Sequence, residues 1–194
     1  MNKTKKIIAV VLVACLAFAF AGCGKQKASD AIDQAVKAVK EMDTEKMALY
    51  YGETVTSDLG DQTLYTSDVV EALTKNLTYK IISVDTNGDQ ATAQVEFTNA
   101  NMSVVFTNFF MQVLADAFSS DLSSMSEEEI NARYTNMLIE QLNADDVTLI
   151  TTTATINLTY DADKKVWVID SDSMTDMVNA MFGGIYDAAD SLGY

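Results

Sequence analysis

Between residues 29 and 182 the spacing of apolar side chains switches between helical and strand periods four times, and each switch marks an element. Ala31, Ile32, Ala35, Val36 and Val39 recur at helical intervals, which predicts a helix N-capped by Ser29. Asp43 or Thr44 starts a second short helix through Met47, Leu49, Tyr50 and Tyr51, stopped near Gly52. Residues 53–66 are polar and read as a loop; Ser67-Asp68-Val69-Val70-Glu71 then opens a third helix to about Asn76. Leu77 to Asp85 and Gln90 to Asn99 alternate around Asn87-Gly88, a strong two-residue hairpin signal. On the second strand Ala91, Ala93, Val95 and Phe97 make a dry face and Thr92, Gln94, Glu96 and Thr98 a wet one.

Met102 to Phe118 reads as a helix that is apolar nearly all round, relieved by a thin stripe of Asn108, Gln112 and Asp116. Ser126-Glu127-Glu128-Glu129 is a capping box for a helix running to about Asn143. Val147 to Tyr160 is β-branched and alternating, with Ile150, Ala154, Ile156 and Leu158 on one face. Strands are typically about 5 to 6 residues long, so a bend or bulge is expected in this one. Asp161 to Lys165 turns the chain into Val166 to Asp170, and Ser173 starts a last helix through Met174, Met177, Met181 and Phe182, broken at Gly183-Gly184. The pattern predicts an α+β fold: a curved, cone-like antiparallel sheet of about four strands, from two hairpins, packed against several helices.

The head of the chain follows a different rule. Lys3, Lys5 and Lys6 precede Ile7 to Phe20, which carries no polar side chain, and small residues follow; this is the layout of a secretory signal. Phe20-Ala21-Gly22-Cys23 resembles a bacterial lipobox, in which the cysteine thiol receives a diacylglycerol and becomes the mature N-terminus. An uncleaved anchor wants about 18 to 20 apolar residues, and Ile7 to Gly22 supplies sixteen. Secretion without a lipid leaves Cys23 unexplained. Leu12-Val13-Ala14-Cys15 also has the form of a lipobox, but cutting there leaves an apolar run shorter than about 7 residues. The resemblance implies a signal peptide over 1–22, a lipidated Cys23 with a linker over 23–28, and one domain over 29–194. It also implies localisation by a lipid anchor at the outer, extracytoplasmic face of the cell membrane. Gly24 to Ala28 reaches at most about 17 Å, so the domain is expected close to the bilayer. Lys25 and Lys27 then either touch anionic headgroups or serve only as a soluble linker.

Composition narrows the chemistry. Residues 1–22 take three lysines and no acid with them, so Lys+Arg falls from 13 to 10 against 28 Asp+Glu and the net charge from −15 to −18. Such a surface repels nucleic acid and anionic headgroups and attracts cations or basic peptides. Arg133 is the single arginine, and there is no histidine, which removes serine–histidine and cysteine–histidine catalysis and histidine zinc sites. With Cys15 cleaved and Cys23 acylated, no disulfide forms, and stability rests on the core.

The order of elements resembles the small extracytoplasmic lipoproteins of Gram-positive bacteria with a nuclear-transport-factor-2-like, or cystatin-like, domain. The early helix Ala31 to Met42, Asp43-Thr44-Glu45-Lys46-Met47 after it, Tyr79-Lys80-Ile81, and Val166-Trp167-Val168-Ile169-Asp170 before a terminal helix carry the likeness. It implies a curved sheet wrapped on helices with a pocket at its wide end. The two helices over 102–143 depart from the simplest members.

Candidate chemistry is sparse. Asp85, Asn87, Asp89 and Glu96 mimic calcium-loop spacing, but Gln90 replaces the required glycine and strands flank it, so a hairpin is expected. Asp161 and Asp163 belong to a turn, Asp145-Asp146 to a loop, and Asp170, Asp172 and Asp176 to a helix start. Asp116 is either part of a solvent-facing stripe or, in a pocket, a base with a raised pKa. Phe109, Met111, Met177 and Met181 are either ordinary core or the lining of an apolar groove between two helices. No cofactor and no metal is expected. The reading is a non-catalytic, lipid-anchored binding or accessory protein, its partner a small molecule, a peptide or a basic protein and not nucleic acid. The alternatives are a SnoaL-like enzyme using Asp116, and an acidic scaffold or sensor.

Overall fold

Helices α1 (Ala28–Lys40) and α2 (Thr44–Tyr51) form where the apolar spacing places them, but their starts are made differently. In the computed structural model, which describes residues 25–52, 67–119, 122–191 and 193, Lys27 occupies the N-cap position of α1 without a side-chain cap. Ser29 therefore does not cap; its hydroxyl donates to the Asp30 carboxylate at 3.4 Å. Asp43 does cap α2, accepting from the Lys46 amide at 3.0 Å. The leader with Cys23 and the expected loop 53–66 lie outside the described residues.

The fold is α+β, with a curved, open antiparallel sheet and seven helices among the described residues. Strands β1 (Thr78–Asn87), β2 (Gln90–Ala100), β3 (Leu149–Asp161) and β4 (Val166–Ile169) lie in the order β1-β2-β3-β4. The first turn corrects the expected one: Asn87 pairs with Gln90, so Gly88-Asp89 is the two-residue loop. Gly88 alone of that pair has positive φ, at 64°, which is the II′ pattern.

The expected bulge moves as well. β2 and β3 pair without a break from Gln90↔Thr159 to Ala100↔Leu149, whereas β1 slips between Ile81 and Ser83. Ile82 is turned outward there, and the slip resets the alternation so that Ile81 and Val84 both reach the core. The long β3 needs no bulge of its own, because β2 matches its length.

The dry face of the sheet, with Val95, Phe97, Ile156, Leu158, Trp167 and Ile169, packs on α1 and on α6 (Ser171–Met181). A second, smaller core lies off the end of the sheet. It gathers Ala72 of α3 (Ser67–Thr74), Met102 and Val105 of α4 (Met102–Ser119), Leu142 of α5 (Glu127–Asn143) and Ala188 of α7 (Ile185–Ser191). The capping box forms as expected, with Glu129 accepting from the Ser126 amide at 2.8 Å and the Ser126 hydroxyl accepting from the Glu129 amide at 3.3 Å.

The two cores meet at Asn99. Its buried amide donates to Leu73 O and Met181 O, each at 2.9 Å, and its oxygen accepts from the Ala100 amide at 2.8 Å. Beside it the Met102 amide donates to Gly183 O at 3.0 Å. Gly183 has φ 60°, and a Cβ there would stand 1.8 Å from the Ala100 carbonyl oxygen. Gly183→Ala is therefore expected to cost about 3 kcal/mol or more, from left-handed backbone strain and overlap with main chain. Gly88→Ala, which meets open space, should cost about 1 kcal/mol. Urea-unfolding midpoints of the two variants check the difference, and equal losses would contradict the close approach.

Candidate functional site

The side chains singled out for chemistry do not converge. Met177 and Met181 are fully buried under the sheet. Phe109 is half-buried on the same side of α4 as Met102 and Val105, and Met111, on the opposite side, is 62% exposed. No groove forms between the two methionine-bearing helices, because α4 packs chiefly on α5 and α7 while α6 lies under β2 and β3. Burial follows the connection: the short β4 returns the chain beneath the sheet, so α6 faces the core and not α4.

Asp116 corrects both expectations made for it. Asn108 and Gln112 stay exposed, but Asp116 turns inward and is only 6% exposed. Its Oδ2 accepts from Arg133 Nε at 2.8 Å and its Oδ1 accepts from Arg133 Nη2, a bidentate pair joining α4 to α5. The carboxylate beside it raises the Arg133 pKa, chiefly through the hydrogen bond. With both oxygens engaged by the guanidinium, Asp116 is a tie between helices and not a base poised over a cavity.

The seat of the amino-terminal segment is a feature that periodicity does not reveal. Lys25 Nζ donates to Gly88 O and to Asp89 Oδ1 at 2.8 Å, at the β1–β2 turn. The same ammonium stands 4.2 Å from the Tyr160 ring centroid and 4.3 Å from that of Trp167. Tyr160 and Trp167 are cross-strand partners on β3 and β4, edge to face at 5.4 Å. Trp167 Nε1 then donates to the Gln26 carbonyl at 2.6 Å, across 141 residues of sequence. The exposed ion pair to Asp89 is worth at most about 1 kcal/mol; the two rings add about 0.5 to 2 kcal/mol, so the aromatic contact is a tie at least comparable to it. Lys25 is thus held by the domain itself and is not simply part of a soluble linker.

Two open concavities flank these elements. One, about 380 Å³, lies beside the seat between Lys25, Ser29, Val84, Thr86 and Trp167. The other, about 680 Å³, lies between α1, α3 and α5. Its lysines cap carbonyls, Lys40 on Leu77 O and Lys75 on Asn143 O, both at 3.3 Å. Elsewhere, burial and a hydrogen bond to Asp33 push the Tyr79 phenol up to about 12, and burial raises Tyr51 further. The Tyr51 hydroxyl and Gln26 Oε1 are buried without a hydrogen-bond partner among the described residues. Among those residues no three metal-ligating side chains cluster, and no helix is long and apolar enough to cross a membrane. The aspartates at 161 and 163 form the expected turn, with Asp161 Oδ1 accepting from the Asp163 and Lys164 amides at 3.0 and 2.9 Å. Asp170 takes the N-cap position of α6 without a side-chain bond.

No family model matches the chain, and no curated protein matches it in sequence. A likeness in shape links it to the crystal structure of ycdA from Bacillus subtilis, provisionally termed a lipoprotein, at 15% identity and a TM-score of 0.46. The match covers 80% of this chain and 47% of ycdA, so the chain spans about half the length of that protein.

What remains is the arm formed by α4 and α5. Its base is set in the second core through Met102, Val105, Leu138 and Leu142. Farther out, among the described residues between 107 and 137, Asp116 is the one buried side chain, facing Arg133. Arg133→Met is expected to speed amide hydrogen exchange over 107–137 and leave β2 and β3 protected, because it strands a buried carboxylate. Asp116→Leu combined with Arg133→Met should restore protection by filling the site with apolar atoms. Unchanged exchange in the single variant would show that the pair does not hold the arm.

Proposed function

We propose that the chain is a lipid-anchored, extracytoplasmic binding or accessory protein that works without catalysis, held in a set posture by the domain's grip on its own first residues. The observation that carries this reading is the seat of Lys25 and Gln26. Those residues follow Cys23 by two and three positions, so an acylated Cys23 lies within about 7 Å of the Lys25 backbone. The bilayer then meets the domain at the β1–β2 turn. β2 leads away from that turn for eleven residues, about 35 Å at 3.3 Å per residue, before α4 begins. The arm therefore stands at the end of the sheet away from the lipid.

The lipobox resemblance supplies the signal over 1–22 and the outer-face location. The nuclear-transport-factor-2-like reading is consistent with a curved sheet closed over α1. The enzymatic alternative loses its base, since Asp116 is tied to Arg133. The acidic surface, −18 after loss of the leader, keeps the domain off nucleic acid and off anionic lipid.

Cys23→Ser is expected to move the protein from the membrane to the soluble fraction, or to leave the precursor uncut, with no acyl mass on the product. Two chains anchor stably because each buried CH₂ contributes about 0.8 kcal/mol. Normal cleavage with full membrane retention would refute the anchor. Lys25→Ala should leave anchoring intact but free the segment before α1, seen as faster motion of a spin label on Lys27→Cys. A label equally immobile with and without Lys25 would show that the seat sets no posture.

A further inference from the structure

Helix α4 has two apolar faces, and among the described residues only one is covered. At about 100° per residue, Met102, Val105, Phe106, Phe109 and Val113 fall on the side that meets α5 and α7. Val104, Phe110, Met111, Leu114 and Phe118 fall within about 120° on the opposite side, and all five are exposed, Phe118 at 91%. A helix apolar on every side belongs inside a bundle. From the exposed ridge we infer that α4 is a self-association surface, whose occupant is the α4 ridge of a second copy of this chain.

Charge selects that occupant. The chain carries a net charge of −15, and most faces would set carboxylate against carboxylate if two copies met. The ridge is the exception: α4 holds one charged residue, Asp116, which lies on the other side and is paired with Arg133. A basic partner would find nothing there to pair with. A bilayer is a poor occupant too, since α4 carries no lysine or arginine to accompany insertion, and Glu127, Glu128 and Glu129 open the neighbouring helix. Size agrees. The five side chains offer on the order of 500 Å² of apolar surface. With Ser103 and Thr107 within its arc and Asn108 and Ala115 along one rim, this forms the centre of an interface burying about 800 Å² per partner. A two-fold axis through the ridge makes each α4–α5 hairpin half of a four-helix bundle. This association does not depend on lipidation of Cys23.

Met111 is the midpoint of the ridge between Val104 and Phe118, so a two-fold brings it onto its own counterpart whether the helices run parallel or antiparallel. The full chain with Met111→Cys, expressed in bacterial cells and treated there with a short bis-maleimide, should be captured mainly as a dimer of this chain. The parent chain, with its own Cys15 and Cys23, and a Thr155→Cys variant on the polar sheet face should stay monomeric. Adding Phe118→Glu and Leu114→Glu to Met111→Cys, which puts carboxylates on an exposed surface, should abolish the dimer while the protein still accumulates and resists proteolysis as the parent does. No dimer of Met111→Cys, capture of a protein of another mass in its place, or an equal dimer with the two glutamates would overturn the proposal.

Discussion

The side chain of Asn99 holds three backbone groups at the one point where every layer of this protein meets. It sits at the end of β2, ties the last turn of α3 and the end of α6, and holds the Ala100 amide through its own oxygen. Two of those groups, Met181 O and the Ala100 amide, are buried where water competes weakly, and an unmade bond there costs about 1 to 3 kcal/mol. The bare backbone of Gly183 completes the junction by lying against the Ala100 carbonyl. Together they decide that the chain leaves the sheet at Asn101 and that α4 starts a second core beyond its edge. A chain that passed this point one residue out of register would send β2's dry face to solvent.

From that junction follows a polarity between two ends. At one, the β1–β2 turn receives Lys25, and the ammonium lies between two aromatic rings that the β3–β4 pairing brings together. At the other, the α4–α5 arm extends past its small core with little apolar burial of its own. Desolvation separates them energetically. Trp167 is buried, so its indole hydrogen bond to Gln26 O is made where water competes weakly. The Lys25–Asp89 pair is mostly wet and contributes little. The grip on the first residues is thus largely aromatic and main-chain in character.

Asp116 and Arg133 show how one acid on an apolar helix can be used. The pair adds little net stability: desolvating the Asp116 carboxylate offsets much of the attraction, and Arg133 stays 40% exposed, where water screens its charge. Its consequence is register. A bidentate carboxylate–guanidinium contact fits at one relative position of two helices, whereas apolar side chains slide past each other with small penalties. With few large side chains interlocked between residues 107 and 137, this contact aligns α5 on α4 and leaves the outer face of α4 bare.

The apolar periods by themselves determined the kind and order of the elements from α1 to α6, because a face that alternates or recurs every three to four residues can be buried in only one secondary structure; the short α7 after Gly183-Gly184 was not anticipated. The capping box at Ser126, the glycine turn after Asn87 and the dry face of Ala91 to Phe97 are local in this sense and were legible. Turn phase, the bulge position and the α1 cap were not, since neighbouring strands and packing set them: Gly88-Asp89 form the turn because Asn87 pairs with Gln90, and β1 slips because Val84 must reach a core that β2 defines. The site was less legible still. Asp116 could be sorted as stripe or base from its own helix, but its partner lies seventeen residues away on another. Lys25 read as a headgroup contact or a linker lysine, and only the pairing of the strands brought Tyr160, Trp167 and Asp89 around it. Periodicity reports how much of a helix is apolar; tertiary packing alone decides which side is covered, because that depends on where the chain comes back.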